Sequence, residues 1–302
     1  GEAGVVLKGV MTATGTGARS VADRYGFEFC TSDENDLWKD GGINTVFIAT
    51  RHNTHAQYVL RALEEGRNVF VEKPLCLTEE ELEKIASKVR ELSEKGRVPS
   101  LMVGFNRRFS PLTDVLKARL GEGPMSMIYR VNAGPMKADA WMQIPEIGGG
   151  RIIGEACHFV DYLTFMNGSL PVEVYGTAME EPEHLGDIVN ITMRFENGSI
   201  GVVSYFANGG KSLPKEYIEI YRGGTTGVLN DFKELRIYGS GKPSVKRLAS
   251  QNKGQPQMMK RFLSSIREGA PSPIPFEEIY AVMLATFKAV DCFTTHEVAR
   301  IG

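Results

Sequence analysis

The first third of the chain alternates between short apolar runs and amphipathic stretches. Val5–Met11 is a short β-rich run, and helical Ala18–Tyr25 follows and ends at Gly26. Phe27–Cys30 makes a brief strand. Thr45–Ala49 (TVFIA) has the continuous apolar character of a strand buried on both faces, and a helix runs from Thr54 to Glu65 before Gly66. Asn68–Val71 is the next strand. Thr78, with Glu81 three residues on, signals a capped helix through Glu94, and Leu101–Val103 closes the series. Short buried strands separated by single helices predict a parallel, doubly wound sheet.

Beyond Gly104 the pattern changes. A helix over Pro111–Leu120 leads to an alternating strand, Met125–Asn132, and then to a helix over Arg151–Met166 that ends at Asn167-Gly168. Strands then follow one another: Val172–Ala178, Asp187–Phe195, Ser199–Phe206, Tyr217–Tyr221 and Leu235–Tyr238. Asn197-Gly198 is a hairpin turn between two of them. Helices over Gln257–Glu268 and Phe276–Thr294 come last. The expected organisation is therefore two domains, 1–104 and 105–302, with the late helices packing back on the first. The second should be α+β, with a large, open, mostly antiparallel sheet.

Composition narrows the classes of function. The 302 residues are 42% hydrophobic and 24% charged, with a net charge of −2 and no block of one sign, so neither a nucleic-acid nor an anionic-membrane partner is expected. Apolar runs are far shorter than the roughly 20 residues of a membrane helix. Residues Gly1–Gly4 show no signal-peptide pattern. Cys30, Cys76, Cys157 and Cys292 are scattered without a CxxC pair, which points to packed, reduced thiols and a cytoplasmic setting. The five histidines have no HExxH or HxxxH spacing, so no metal site is expected.

Three motifs carry candidate chemistry. Glu72-Lys73-Pro74 sits at the C-terminal end of a parallel strand, the edge where ligands of such sheets bind, and a lysine there reaches the interdomain crevice. Gly148–Asp161 opens with three glycines and then places Glu155, His158 and Asp161 at three-residue spacing on a helix. A histidine beside a carboxylate suits alcohol-proton transfer at neutral pH. Gly104-Phe105-Asn106-Arg107-Arg108-Phe109 lies at the domain junction, where polar groups would line a cleft. Taken singly, each also reads as a surface lysine, a core histidine or a solvated arginine pair.

Together with Ile48-Ala49-Thr50, His55 and Pro275–Glu278, the motifs resemble the glucose–fructose oxidoreductase/inositol dehydrogenase (Gfo/Idh/MocA) family over nearly the whole chain. The resemblance implies an NAD- or NADP-dependent enzyme that moves a hydride between nicotinamide and a secondary alcohol of a sugar, nucleotide sugar or cyclitol. It further implies a Rossmann domain followed by a sheet domain that makes a homo-oligomer. Lys73 and His158 match the family's catalytic lysine and proton-accepting histidine. Thr12, Thr50, Arg51, His52, His55, Glu72, Lys73 and Pro74 fall where members contact the dinucleotide. Asn106, Arg107, Glu155, His158 and Asp161 fall on the substrate side. A non-catalytic sensor on the same fold is the alternative.

Two departures bear on these expectations. The family's aspartate four residues before the histidine is replaced by Gly154, with Glu155 one place later and turned by about 100°. Aligned backwards from Lys73, Val5–Met11 becomes the second strand of an α/β Rossmann-like parallel sheet whose first βα unit is missing. On that reading the chain is a piece of a longer one, close to a subgroup fused behind an alcohol-dehydrogenase-like domain, and should bind nicotinamide cofactor weakly or not at all. The other reading takes Gly15-Thr16-Gly17-Ala18-Arg19-Ser20 as a variant GxGxxS phosphate loop. No acid stands at Thr12-Ala13-Thr14 to read an NAD ribose, and no arginine clearly awaits the NADP 2′-phosphate.

Overall fold

In the computed structural model, which describes residues 4–12, 15–96, 98–180 and 186–301, the first third of the chain forms two short parallel sheets. β1 (Gly9–Met11) leads through α1 (Gly15–Tyr25) to β2 (Phe29–Thr31), and the two strands pair in parallel with Val10 opposite Cys30. After α2 (Glu34–Lys39), a second sheet has the order β3-β4-β5. It is built from β3 (Thr45–Ile48), α3 (His55–Glu64), β4 (Asn68–Val71), α4 (Glu79–Glu94) and β5 (Leu101–Val103). No ladder joins β1 to β3 among the described residues.

A doubly wound sheet of strand order 3-2-1-4-5-6 explains this separation. β2 and β1 take the third and second places, and β3, β4 and β5 take the fourth, fifth and sixth. The first place, between β1 and β3, holds no strand among the described residues. This agrees with Val5–Met11 as the second strand, although the regular part is only Gly9–Met11. Gly15–Ser20 then belongs to the helix after that second strand. Ala13 and Thr14 lie outside the described residues.

After Gly104, a 3-10 turn (Asn106–Phe109) enters α5 (Pro111–Leu120), which Ser110 caps by accepting from the Leu112 amide. Then come β6 (Ser126–Asn132), α6 (Pro145–Gly148) and a π-helical turn (Ile152–Ala156) that runs into α7 (Cys157–Asn167). The strands β7 (Pro171–Ala178), β8 (Ile188–Phe195), β9 (Ile200–Phe206), β10 (Glu216–Arg222), β11 (Thr225–Asn230), β12 (Glu234–Tyr238) and β13 (Ser244–Arg247) follow. The chain closes with α8 (Gln255–Glu268), α9 (Phe276–Thr295) and β14 (Ala299–Arg300). These strands form one nine-stranded sheet, β13-β12-β11-β10-β6-β9-β8-β7-β14. All its neighbours are antiparallel except β6 and β9, which run parallel.

One face of this sheet is apolar, with Tyr129, Val203, Ile191, Ile218 and Leu229 fully buried under α5, α7 and α9. The late helices also close on the first domain. Phe262 of α8 stacks against Phe47 and Phe70 at 5.8 and 5.6 Å between ring centres. Lys288 of α9 pairs with Glu79 at 2.7 Å. A continuous apolar core therefore runs through both domains and holds the carboxyl ends of β3–β5 against α7. Cys76, Cys157 and Cys292 are buried as expected, whereas Cys30 is only partly so.

Candidate active site

The site forms where the carboxyl ends of β3, β4 and β5 meet the π-helical turn and α7. Glu72 and Lys73 leave β4 directly, followed by a cis bond to Pro74. The Lys73 ammonium donates to the Gly154 carbonyl at 2.7 Å, which ties the end of the parallel sheet to the second domain. The turn that offers this carbonyl is π-helical, and such one-residue expansions of a helix are frequent at functional sites. The approach at this glycine is close: a Cβ at position 154 would stand 3.0 Å from His52 Cε1 and 3.3 Å from the Gly148 carbonyl oxygen.

His158, in the first turn of α7, is 5% exposed, and its Nδ1 is buried with no hydrogen-bond partner. Burial pushes its pKa well below the ordinary histidine value, and Arg107, Lys73, Lys215 and Lys253 push it further the same way. The resting imidazole is therefore neutral around pH 7. Phe105 at the domain junction packs against it edge to face, 5.9 Å between centres.

The residues expected to contact a dinucleotide divide into two groups. Thr50 and Arg51 are exposed at the end of β3, where Thr50 and Thr54 share a 2.7 Å hydroxyl contact. Thr12 is half-buried beyond β1. His52 is turned inward, with Nδ1 2.8 Å from the Gly148 carbonyl oxygen and Trp141 edge-on at 4.8 Å. Burial lowers its pKa to about 4. His55 corrects the expectation of direct cofactor contact. It is fully buried, and its two nitrogens face the carbonyl oxygens of Pro74 (2.7 Å) and Thr50 (3.2 Å). It holds the Lys73–Pro74 turn against the Thr50 turn, and that occupation of the Pro74 carbonyl makes Pro74 part of the same brace.

Three expected substrate contacts are also corrected. Asp161 is fully buried and forms a forked pair with Arg108, at 2.5 and 3.1 Å. A three-residue step falls about 60° short of a full turn, so six residues carry Asp161 well away from the face of Glu155. Arg107 is buried and gives Nε and Nη2 to Glu216, at 2.8 and 3.1 Å. Glu155 faces the sheet, where Tyr205 and Lys215 each donate to it at 2.5 Å. Burial alone would raise the Glu155 carboxyl, but Lys215, the Tyr205 hydroxyl and Lys73 outweigh it and hold the pKa at about 2. Asn106 is buried at the junction, its amide donating to the Lys253 carbonyl at 2.8 Å.

Lys215, Glu216 and Lys253 did not stand out in the sequence. Glu216 carried one signal: it occupies the inward register of β10, in phase with Ile218 and Ile220, where a charge must be paired. Its partners lie at Arg107, Tyr129 and Lys253, too far along the chain for spacing to reveal.

With this geometry in place, comparison with known proteins gives the class. Residues 2–104 match the model of the oxidoreductase family with an NAD-binding Rossmann fold, and residues 123–230 match the Gfo/Idh/MocA C-terminal domain. The chain belongs to the Gfo/Idh/MocA oxidoreductase family. It is 30% identical over 193 residues to a scyllo-inositol 2-dehydrogenase (NAD(+)) of Bacillus subtilis, a match over 62% of this chain and 55% of that protein. It is 28% identical over 224 residues to the levoglucosan dehydrogenase of Pseudarthrobacter phenanthrenivorans, over 63% of this chain and 56% of that one. The chain thus spans a little over half the length of these relatives. A solved levoglucosan dehydrogenase in complex with NADH and levoglucosan shares the fold, with a TM-score of 0.85 at 23% identity over 98% of this chain and 90% of that one.

Proposed function

We propose that the chain forms the catalytic body of an NAD-dependent dehydrogenase that oxidises a secondary alcohol of a sugar or cyclitol. The observation that carries this reading is the Lys73 ammonium, tied to the Gly154 carbonyl four residues before His158, acting on a buried imidazole whose Nδ1 has no partner. Lys73 polarises the reacting oxygen, and neutral His158 takes the alcohol proton. Glu155, Glu216 and Arg107 hold the charges around them in place.

The groups present fit the nicotinamide half of a dinucleotide. His158 leaves a polar atom to be satisfied, and Thr12, Thr50, Arg51, Glu72 and Lys73 lie at or just beyond the strand ends, with His52 buried behind them. When bound, the nicotinamide supplies the hydride acceptor. NAD is favoured over NADP by the named relatives.

Steady-state kinetics on a screen of cyclitols and sugars tests the reading. Lys73→Ala should lower kcat by roughly 100-fold or more. His158→Asn should flatten the acidic limb of the pH–rate profile. A Lys73→Ala variant with near-normal kcat removes that residue from the mechanism.

The outer face of the large sheet supports assembly as a homo-oligomer. Across its middle, Tyr175, Thr192, Val202, Ile128, Glu219 and Val228 stand side by side in register, with Ile128 41% exposed and Ile200 nearby at 54%. A second copy would cover these apolar positions. A monomer mass by light scattering at micromolar concentration would exclude it. No described helix is long and apolar enough to cross a membrane. Four unpaired cysteines support a reducing, cytoplasmic setting.

A further inference from the structure

The groups around His158 offer hydrogen-bond donors in excess of acceptors. Each lysine ammonium has three donors. Among the described residues, Lys73 donates to the Gly154 carbonyl, Lys215 to Glu155 and Lys253 to Glu216. The nearby carboxylates have little left to accept with. Glu216 receives two bonds from Arg107, one from Lys253 and one from the Tyr129 hydroxyl. Glu155 receives Lys215 and Tyr205, with Arg151 3.7 Å away. At Gly154, beside Glu155, no side chain stands, and a Cβ there would press on His52 and the Gly148 carbonyl oxygen at 3.0 and 3.3 Å.

Charge points the same way. Arg107, Lys73, Lys215 and Lys253 all disfavour a charge on the His158 imidazole, while Glu155 and Glu216 are held ionised by these same cations. With Glu72, on which Lys73 also acts, these four cations face three carboxylates. A neutral polyol needs acceptors for its hydroxyl protons as well as donors. This site is poor in the former, while each of the three ammonium groups has donors beyond its one protein partner. Each ammonium meets one protein acceptor and has further donors to give, and an anionic ligand is what can take several of them at once.

We propose that the substrate carries an anionic group, a carboxylate or a phosphate, which Lys215 and Lys253 hold beside the alcohol that reacts at Lys73 and His158. This inference rests on the dehydrogenase reading of the same site and names its substrate class. Lys215 and Lys253 are then specificity-determining residues. Lysine is a point charge with freely turning donors, so it accepts either anion. The source of the charge is settled by which ligand binds.

Calorimetric titration of the 302-residue chain with D-glucuronate, D-glucose 6-phosphate and D-glucose provides the test. One of the two anions should bind at least about tenfold more tightly than glucose, which identifies the group as carboxylate or phosphate. Its advantage should shrink with added salt. Lys215→Gln and Lys253→Gln should each reduce the preferred anion towards the level of glucose, while Lys253→Arg, which keeps the charge and the pairing with Glu216, should retain most of the preference. The inference is overturned if glucose binds as tightly as both anions, if neither anion binds at about 10 mM, or if the preference survives both glutamine variants in folded protein. Turnover separates the two levels of the reading. Equal NADH formation from glucose and glucuronate overturns the anionic class and leaves the dehydrogenase standing. Tight anion binding without turnover supports the anion site and counts against the dehydrogenase.

Discussion

His52 sits in a seat made by the glycine-rich turn before α7: its ring lies against the Cα of Gly154, its Nδ1 faces the Gly148 carbonyl oxygen at 2.8 Å, and Trp141 covers its edge. Charging this ring would place an imidazolium in a desolvated position near Lys73, which is why its pKa falls to about 4. The sign of the resulting pH dependence follows. Between pH 6.5 and about 4 the unfolded chain holds a proton on His52 that the folded chain does not, so stability falls as pH drops through that window. His158 acts in the same direction. His52→Asn, which keeps a donor for the Gly148 carbonyl, should flatten the acid side of a urea-midpoint-against-pH plot, by at most about 3 kcal/mol at its lower end. A slope unchanged from the parent would show that His52 is already protonated in the folded protein. The places of Lys73, just past a strand, and His158, on a helix, were legible because their local contexts, a strand ending in Lys-Pro and a helix after three glycines, are written in consecutive residues. Asp161 and Arg107 were misplaced because their partners, Arg108 and Glu216, decide their direction and no spacing records that.

At the scale of the element, periodicity and caps worked where side chains carry the pattern. β4, β5 and α5 have the bounds expected, and α4 begins after Thr78, whose hydroxyl accepts from the Glu81 amide at 3.2 Å. The return bond from the Glu81 carboxylate goes to the Leu77 amide at 2.8 Å, one residue earlier than in a standard capping box. Two independent bonds thus fix this terminus, and the helix that packs against α3 and α9 depends on them. Thr78→Ala should cost about 1 kcal/mol, read as a shift in urea midpoint at constant slope. A loss below about 0.3 kcal/mol would mean that the Glu81 bond alone holds the cap. β11 was missed because Gly227 interrupts its alternation, although Gly223-Gly224, at φ 54° and 77°, make the two-residue turn that announces a hairpin. The exposed β13 and the short α2 and α6 carry too little apolar pattern to detect. The π-helical turn had no sequence signature beyond its glycines, and it is this turn that sends Glu155 to Lys215 and the Gly154 carbonyl to Lys73.

Over the whole molecule, the order of strands and helices was readable while the partnership of strands was not. The parallel pairing of β6 with β9 inside an otherwise antiparallel sheet depends on contacts more than 70 residues apart along the chain. The separation of β1-β2 from β3-β4-β5 has a further physical consequence. β4 has ladders on both sides, and Val69 and Val71 are fully buried. β1 has one ladder of three residue pairs, all its residues are only partly buried, and Val5, Val6 and Leu7 before it are exposed. Its contacts run to α1, α2 and β2, whereas β3 and β4 pack on Phe262 of α8, β5 touches α9, and Lys288 of α9 ties down α4 at Glu79. Opening β1-β2 therefore breaks few buried contacts, and opening β4 requires disrupting the core shared with the second domain. In native-state hydrogen exchange, amides of Gly9–Met11 and Phe29–Thr31 should exchange at least about 100-fold faster than those of Val69–Val71, a gap of about 3 kcal/mol in opening free energy. The slow set should shift with denaturant in step with global unfolding, and the fast set should not. Equal protection in both sets would mean that β1-β2 is bound to the rest of the parallel sheet by interactions other than the ladders seen here.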